Sequence, residues 1–275
     1  MPEGAPEGEK ESYIYSASEA AALLFASRSA ATHAEYLVPY LNAGMSVVDV
    51  GSGGGEITIG LAEAVAPAAV LGIDVDEGAV GRARVLVEGK QLSNVRFETG
   101  VAYQIPVPDA SVDVVHYHAV LAHRADTRGA LLEAKRVLKP GGLIAAREPA
   151  KDADLFGGPL EESGSRFNKL IMDDWRLAGG DPLLGRKLKG VVVDAGFNIV
   201  SSGAVFDWAD VASSAALMVF ARTRLAEDAL RARVVEAGLV DELTLDWMAS
   251  CFEVRAGEPD AFYAGAEVEV LARKP

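Results

Sequence analysis

The stretch VVDVGSGGGEITIGLA (47–62) sets Asp49, Gly51, Gly53 and Gly55 between a β-branched run and an amphipathic one. Glycines at such a junction tolerate positive φ and let a ligand come against the backbone. The neighbouring acids decide which ligand. A dinucleotide fingerprint needs a small residue where this chain has Glu56, and it directs a pyrophosphate at the following helix N-terminus. Asp49 and Glu56 both repel that charge, whereas a ligand carrying an ammonium group and no phosphate suits them. Asp74 closes a second β-branched run, where an acid either meets a ligand or caps the next helix.

Three histidines form a second group: His116, His118 and His123. Alternation along DVVHYH (113–118) puts His116 and His118 on one face and Tyr117 on the other. The carboxyl end of such a strand opens onto the ligand crevice of an α/β sheet. His118 and His123 are therefore the general-base candidates, His118 nearer the crevice; residues that merely fix the loop are the alternative. No metal centre is expected, because Cys251 is the single cysteine and Asp126, near the histidines, gives no diagnostic spacing.

These residues need elements to hold them. Ser16 opens a capping box, SASE, and apolar spacing predicts one long helix to about Leu41. Short β-branched runs then alternate with amphipathic ones. Strands are predicted at 46–50, 69–74, 95–99, 113–118, 143–148, 198–206 and 266–273, with helices at 56–65, 77–89, 127–138 and 185–195. The turn KPGG (139–142) separates the third of these amphipathic helices from its strand. This alternation means a mostly parallel sheet covered on both faces. Pro- and Gly-rich stretches around a polar helix at about 150–190, and a helical stretch at 208–255, interrupt the rhythm as cap additions; residues 1–11 read as a frayed acidic lead, and 12–275 as one domain.

Composition narrows the partners. The 26 Lys+Arg against 40 Asp+Glu give a net charge of -14 over 275 residues, with no basic stripe to neutralise nucleic-acid phosphates or an anionic membrane. The first nineteen residues have neither a basic nor an apolar signal-peptide region, and no apolar run approaches the roughly 18 residues of a spanning helix. A cytoplasmic protein is expected.

Asp49-Val50-Gly51-Ser52-Gly53-Gly54-Gly55 resembles the D-x-G-x-G-x-G motif of class I S-adenosylmethionine-dependent methyltransferases. Asp74 follows Gly51 by 23 residues, with Val75 next. The stretches 97–123 and 133–148 resemble that family's third-to-fourth-strand segment and its later helix, turn and fifth strand. The resemblance covers roughly 12–206 and, more weakly, the last strand. It implies a Rossmann-like seven-stranded sheet, mostly parallel, with the last strand antiparallel. It also implies a cofactor, S-adenosylmethionine, held by Asp49 and the backbone of Gly51, Ser52 and Gly53, by Asp74 at the ribose, and by Val75 and the Ala102 amide at the adenine, with His118 beside it. At Val101 the chain departs from the family, whose members often carry an Asp that accepts from the adenine amino group; Gln104 is the candidate substitute.

By the same resemblance, Tyr13 and Tyr15 correspond to lid tyrosines, Tyr15 over the cofactor. Phe167, Met172, Trp175, Trp208, Met218 and Trp247 would line an acceptor pocket, although helix cores account for such residues equally well. Arg28 and Arg147 are candidates to pair with a carboxylate of cofactor or substrate, or to be paired within the protein. His116-Tyr117-His118-Ala119 stands where members acting on planar nitrogens carry [D/N]-P-P-[Y/F]. The expectation is O- or C-methylation of a small, apolar or aromatic metabolite, by an enzyme that could form a homodimer. Open alternatives are a cofactor-retaining enzyme of non-methylating chemistry such as cyclisation, a non-catalytic binding module, and last a nicotinamide oxidoreductase.

Overall fold

A computed structural model describes residues 15, 18–208, 211–255 and 258–275. Tyr13 and Ser16 lie outside the described residues, as does the side chain of Trp208. The predicted N-terminal helix is divided. Helix α1 (Glu19–Phe25) is capped by Ser18, whose hydroxyl accepts from the Ala21 amide at 3.2 Å. The chain then opens at Ala26–Arg28, restarts as α2 (Ala30–His33) behind the extended Ser29, and makes a short 3-10 turn at Val38–Tyr40. Apolar spacing continues through the break because Ala30, Ala34 and Leu37 are still buried. Two serines, whose hydroxyls compete for backbone partners, flank the break, and Pro39 ends α-helical geometry.

The sheet contains β1 (Val47–Val50), β2 (Val70–Asp74), β3 (Val95–Thr99), β4 (Val112–His118), β5 (Leu138–Pro149), β6 (Leu155–Gly157), β7 (Asn198–Trp208) and β8 (Phe262–Arg273). Its order is β3-β2-β1-β4-β5-β8, with β7 and the short β6 both on β8. The pairs β1–β2, β1–β4, β2–β3 and β4–β5 are parallel, and every pairing of β8 is antiparallel. The seven expected strands are present, and β6 is an eighth. Lys139–Gly142, read as a turn before the fifth strand, lies within β5: Gly141 takes φ +77°, and the register against β4 shifts between Val112 and Val114.

Helices α3 (Glu56–Val65), α4 (Glu77–Lys90), α5 (Thr127–Val137) and α7 (Leu184–Asp194) connect the strands. Strand β1 is buried at all four positions, as a sheet covered on both faces requires. One apolar cluster joins Ala30, Ala34 and Leu37 to α3 and one sheet face; a larger one joins the other face to the cap. That cap is α6 (Glu161–Leu177) with three helices, α8 (Val211–Ala226), α9 (Asp228–Glu236) and α10 (Glu242–Arg255), in the stretch after β7. Among the described residues no helix is long and apolar enough to cross a membrane.

Candidate functional site

The turn after β1 is shaped by its glycines. Gly51 takes φ +73°, and a Cβ there would stand 2.2 Å from Val120 Cγ2, so only glycine lets β1 and the post-β4 loop approach this closely. Gly53 takes φ +54° with open space where a Cβ would be. Its amide donates to Asp74 Oδ2 at 2.9 Å, and the Asp76 amide donates to Asp74 Oδ1 at 2.9 Å. Asp74 thus locks the glycine turn to the end of β2. Burial raises its carboxyl pKa, against the two amides that lower it.

Asp49 is turned inward. Oδ1 accepts from His116 Nδ1 at 2.7 Å and Oδ2 from Thr58 Oγ1 at 2.6 Å, and all three residues are buried. His116 is therefore Asp49's partner from the neighbouring strand and does not line the cavity that His118, two residues on, lines.

The loop after β4 has its own anchor. Glu148 is fully buried, and its carboxylate accepts from the amides of Val120 (3.0 Å), Leu121 (2.8 Å) and Ala122 (3.0 Å). Burial nevertheless raises its pKa to about 7. Ala119 takes φ +53° and donates to Arg147 O at 2.9 Å, which turns the chain directly after His118. His118 is 6% exposed, and neither ring nitrogen has a hydrogen-bond partner. Burial, then Arg28, His33 and Arg147, push its pKa well below the usual imidazole range, so it is neutral. The His33 ring stands edge-on to it, centroids 5.3 Å apart.

A cavity of 930 Å³ lies over these strand ends, near the upper size of small-molecule sites. Of the residues picked out for the cofactor, Tyr15, Asp49, Gly51, Ser52, Gly53, Asp74, Val75, Ala102 and His118 line it. Val101 does not: it bridges to Gln104, which is exposed and also off the cavity. Of the acceptor residues, Phe167 and Trp175 line it, with the base candidate His123. Met218 is buried in the apolar core, Met172 is half-buried off the cavity, and Trp247 packs under Arg166 in a shallow surface dent. Periodicity could not separate these from pocket residues, because a helix's inner stripe serves core and cavity alike.

Tyr15, Trp175 and His123 meet in an aromatic box. Trp175 Nε1 donates to the Tyr15 hydroxyl at 2.8 Å, and the His123 ring lies 4.1 Å from that of Trp175. Burial lowers the His123 pKa to about 3. Phe220, which no motif or spacing singles out, closes the box against Tyr15 and Phe167.

Arg147 is a buried hub. It binds Glu267 through Nε, Asp207 through Nη2, and Thr32 O (3.1 Å) and Glu35 (3.4 Å) through Nη1. Arg28 lines the cavity over the Phe25 ring (4.2 Å) and makes no ion pair among the described residues. Asp126 is the N-cap of α5, its Oδ1 accepting from Gly129 at 2.8 Å, and no metal-holding cluster occurs among the described residues.

A parallel sheet with β8 antiparallel, a glycine turn after β1 and an acid ending β2 define the class I methyltransferase architecture. A family profile described as a methyltransferase domain matches residues 41–196. The chain is 31% identical over 194 residues to an uncharacterized methyltransferase, C1B3.06c, of Schizosaccharomyces pombe, covering 66% of this chain and 68% of that one. It is 38% identical over 112 residues to the demethylmenaquinone methyltransferase of Deinococcus radiodurans, covering 40% of this chain and 46% of that protein. Among solved structures, geranyl diphosphate C-methyltransferase of Streptomyces coelicolor has the same fold, with a TM-score of 0.54 at 15% identity over 89% of this chain and 79% of that one. The chain belongs to the methyltransferase family, as a class I S-adenosylmethionine-dependent enzyme.

Proposed function

We propose that this enzyme transfers a methyl group from S-adenosylmethionine to the oxygen or carbon of a small-molecule acceptor with an apolar or aromatic body, in the cytoplasm. The observation that carries the reading is one cavity joining the Gly51–Asp74 crevice to the box of Tyr15, Phe167, Trp175 and Phe220, with His118 on its wall.

The residues present fit the cofactor. Asp74 keeps lone pairs beyond its two amide contacts for the ribose hydroxyls, and Val75 and Ala102 give the adenine an apolar rest. Gly53 leaves open space where any other residue would place a side chain. Arg28, on the cavity wall and without an ion pair among the described residues, suits the ligand's carboxylate. Asp49 supports the turn through His116 and Thr58 rather than reaching the ligand as a free acid.

When bound, the cofactor supplies a sulfonium-activated methyl carbon. The protein's part is alignment in a dry pocket, because charge disperses as the sulfonium becomes a thioether. The aromatic box excludes water from the acceptor. His118, neutral and with both nitrogens unpartnered, takes the proton of a hydroxyl or enol acceptor. His123, packed at a tilt against Trp175, shapes the box.

Calorimetric titration with S-adenosylmethionine tests the reading, with NADH as the control ligand. Micromolar binding is expected, weakened by about 1–3 kcal/mol in Asp74→Ala, with no NADH binding. No binding to the wild-type protein, or binding of NADH instead, would overturn it.

A further inference from the structure

The acceptor end of the cavity is short of hydrogen-bond donors. Four carboxylates, Glu35, Asp207, Glu267 and Glu269, surround the single guanidinium of Arg147. A guanidinium has five N–H donors, and one group of these also serves Thr32 O. Eight carboxylate oxygens cannot all be satisfied from that supply. On the cavity, Asp207 Oδ2 lies 3.7 Å from His33 Nε2; off it, Glu269 Oε1, 3.4 Å from the guanidinium, is buried and accepts no hydrogen bond, as the buried Tyr36 hydroxyl makes none. Of the nearby cations, Lys151 is committed to Asp154 at 2.8 Å, and Arg28, which lines the same cavity over the Phe25 ring, makes no ion pair with these carboxylates among the described residues. His33 adds no charge, since burial lowers its pKa to about 4. Glu35, Asp207 and Glu267, from three separate segments, line the cavity.

A second observation points to a donor from outside. His118 lines the same cavity, stands beside His33 and pairs with Arg147 in the β4–β5 register, and both its buried nitrogens lack partners. An incoming group with several N–H donors and a positive charge would serve the carboxylates, while the one acceptor nitrogen of neutral His118 is left for the O–H of the same molecule. An anion would meet three carboxylates, and a neutral alcohol would leave the excess negative charge uncompensated.

We propose that the acceptor carries a protonated amine, seated against Glu35, Asp207 and Glu267, with its apolar body on Phe167, Phe220 and Phe252. This deepens the methyltransferase reading and rests on it. The amine is an anchor, which fixes the acceptor at one end while the aromatic wall holds the other.

The test uses the full chain saturated with S-adenosylhomocysteine, binding of which is measured first. Three matched sets are then titrated: phenethylamine, phenethyl alcohol and phenylacetate; tyramine, tyrosol and hydroxyphenylacetate; tryptamine, tryptophol and indoleacetate. In at least one set the amine should bind at least about tenfold more tightly than the alcohol, and the acid should not bind. Combining Glu35→Gln and Asp207→Asn should bring amine and alcohol within about threefold of each other; Glu35→Gln alone, at a half-exposed position, should narrow the gap if the double variant does not fold. If the four carboxylates only anchor Arg147, these variants lower Tm without changing selectivity. No amine binding in any set, binding without amine preference, preference for an acid, or an amine preference that survives the substitutions overturns the proposal while leaving the cofactor reading intact. Failure of S-adenosylhomocysteine itself to bind overturns both.

Discussion

His116 Nδ1 donates to Asp49 Oδ1 at 2.7 Å, joining two neighbouring parallel strands at a position where both residues are buried. The bond explains an acid beneath a glycine turn that is meant to receive a ligand. Asp49 is held on its other oxygen by Thr58, so the turn is braced from β4 and from α3 at once. His116→Ala removes one brace and leaves a buried carboxylate with a single partner. A loss of about 1–3 kcal/mol is expected in urea unfolding, together with weaker S-adenosylmethionine binding. His116→Asn, which keeps a donor, should recover part of both; a His116→Ala protein as stable as wild type would refute the bracing role.

Glu148 gives the protein a pH-dependent element. Burial raises its pKa to about 7 from 4.5, so the folded state holds this proton more tightly than the unfolded chain. The associated stability is full below about pH 4.5 and is lost as pH rises through about 7, a change of about 3 kcal/mol. Glu148→Gln cannot titrate. Across pH 4–8 the stability of the wild type should therefore fall relative to the variant, even though the amide serves the three N–H groups less well. Parallel pH profiles for the two proteins would show that the Glu148 carboxyl does not titrate in this range.

What could be read from the sequence was local. The glycine turn, Asp74 and the end of β4 each lie within a few residues of the element that sets their geometry, and the cavity contains them. The Arg147 hub draws on residues 35, 207, 267 and 269, and no pattern in sequence announces that convergence. His33 was hidden for a related reason: the break at Ser27–Ser29, which brings it to His118, falls inside continuous helical spacing. Val101 stands where the family often has an acid, yet it does not line the cavity, and its neighbours Gly100 and Ala102 do.

The contact between Tyr15 and Trp175 predicts a local effect. The indole N–H donates to the tyrosine hydroxyl at 2.8 Å inside the aromatic box. Tyr15→Phe retains the ring contacts with Phe25 and Phe220 and leaves this buried donor unsatisfied, at a cost of about 1–3 kcal/mol. Hydrogen exchange of the Trp175 indole, followed by NMR, should lose roughly tenfold to hundredfold protection while strand β1 amides are unchanged. Equal loss in β1 would mean that Tyr15 supports the whole fold instead of the box.

In the proposed reading His118 moves a proton and His123 shapes the box, and kinetics can separate these parts. His118 has two buried nitrogens without partners, whereas His123 packs edge-on to Tyr15 and tilted against Trp175. With a hydroxyl acceptor, His118→Asn should lower kcat by roughly 10²–10⁴, the usual contribution of a positioned base, with S-adenosylmethionine affinity within about threefold of wild type. Because the His118 pKa is pushed well below the usual imidazole range, the wild-type rate should show no protonation limb between pH 6 and 8. His123→Asn should act through packing, raising acceptor KM with a smaller change in kcat. If His123→Asn gives the larger loss of kcat, the roles are reversed; if neither does, the acceptor loses its proton to solvent and the protein contributes alignment alone.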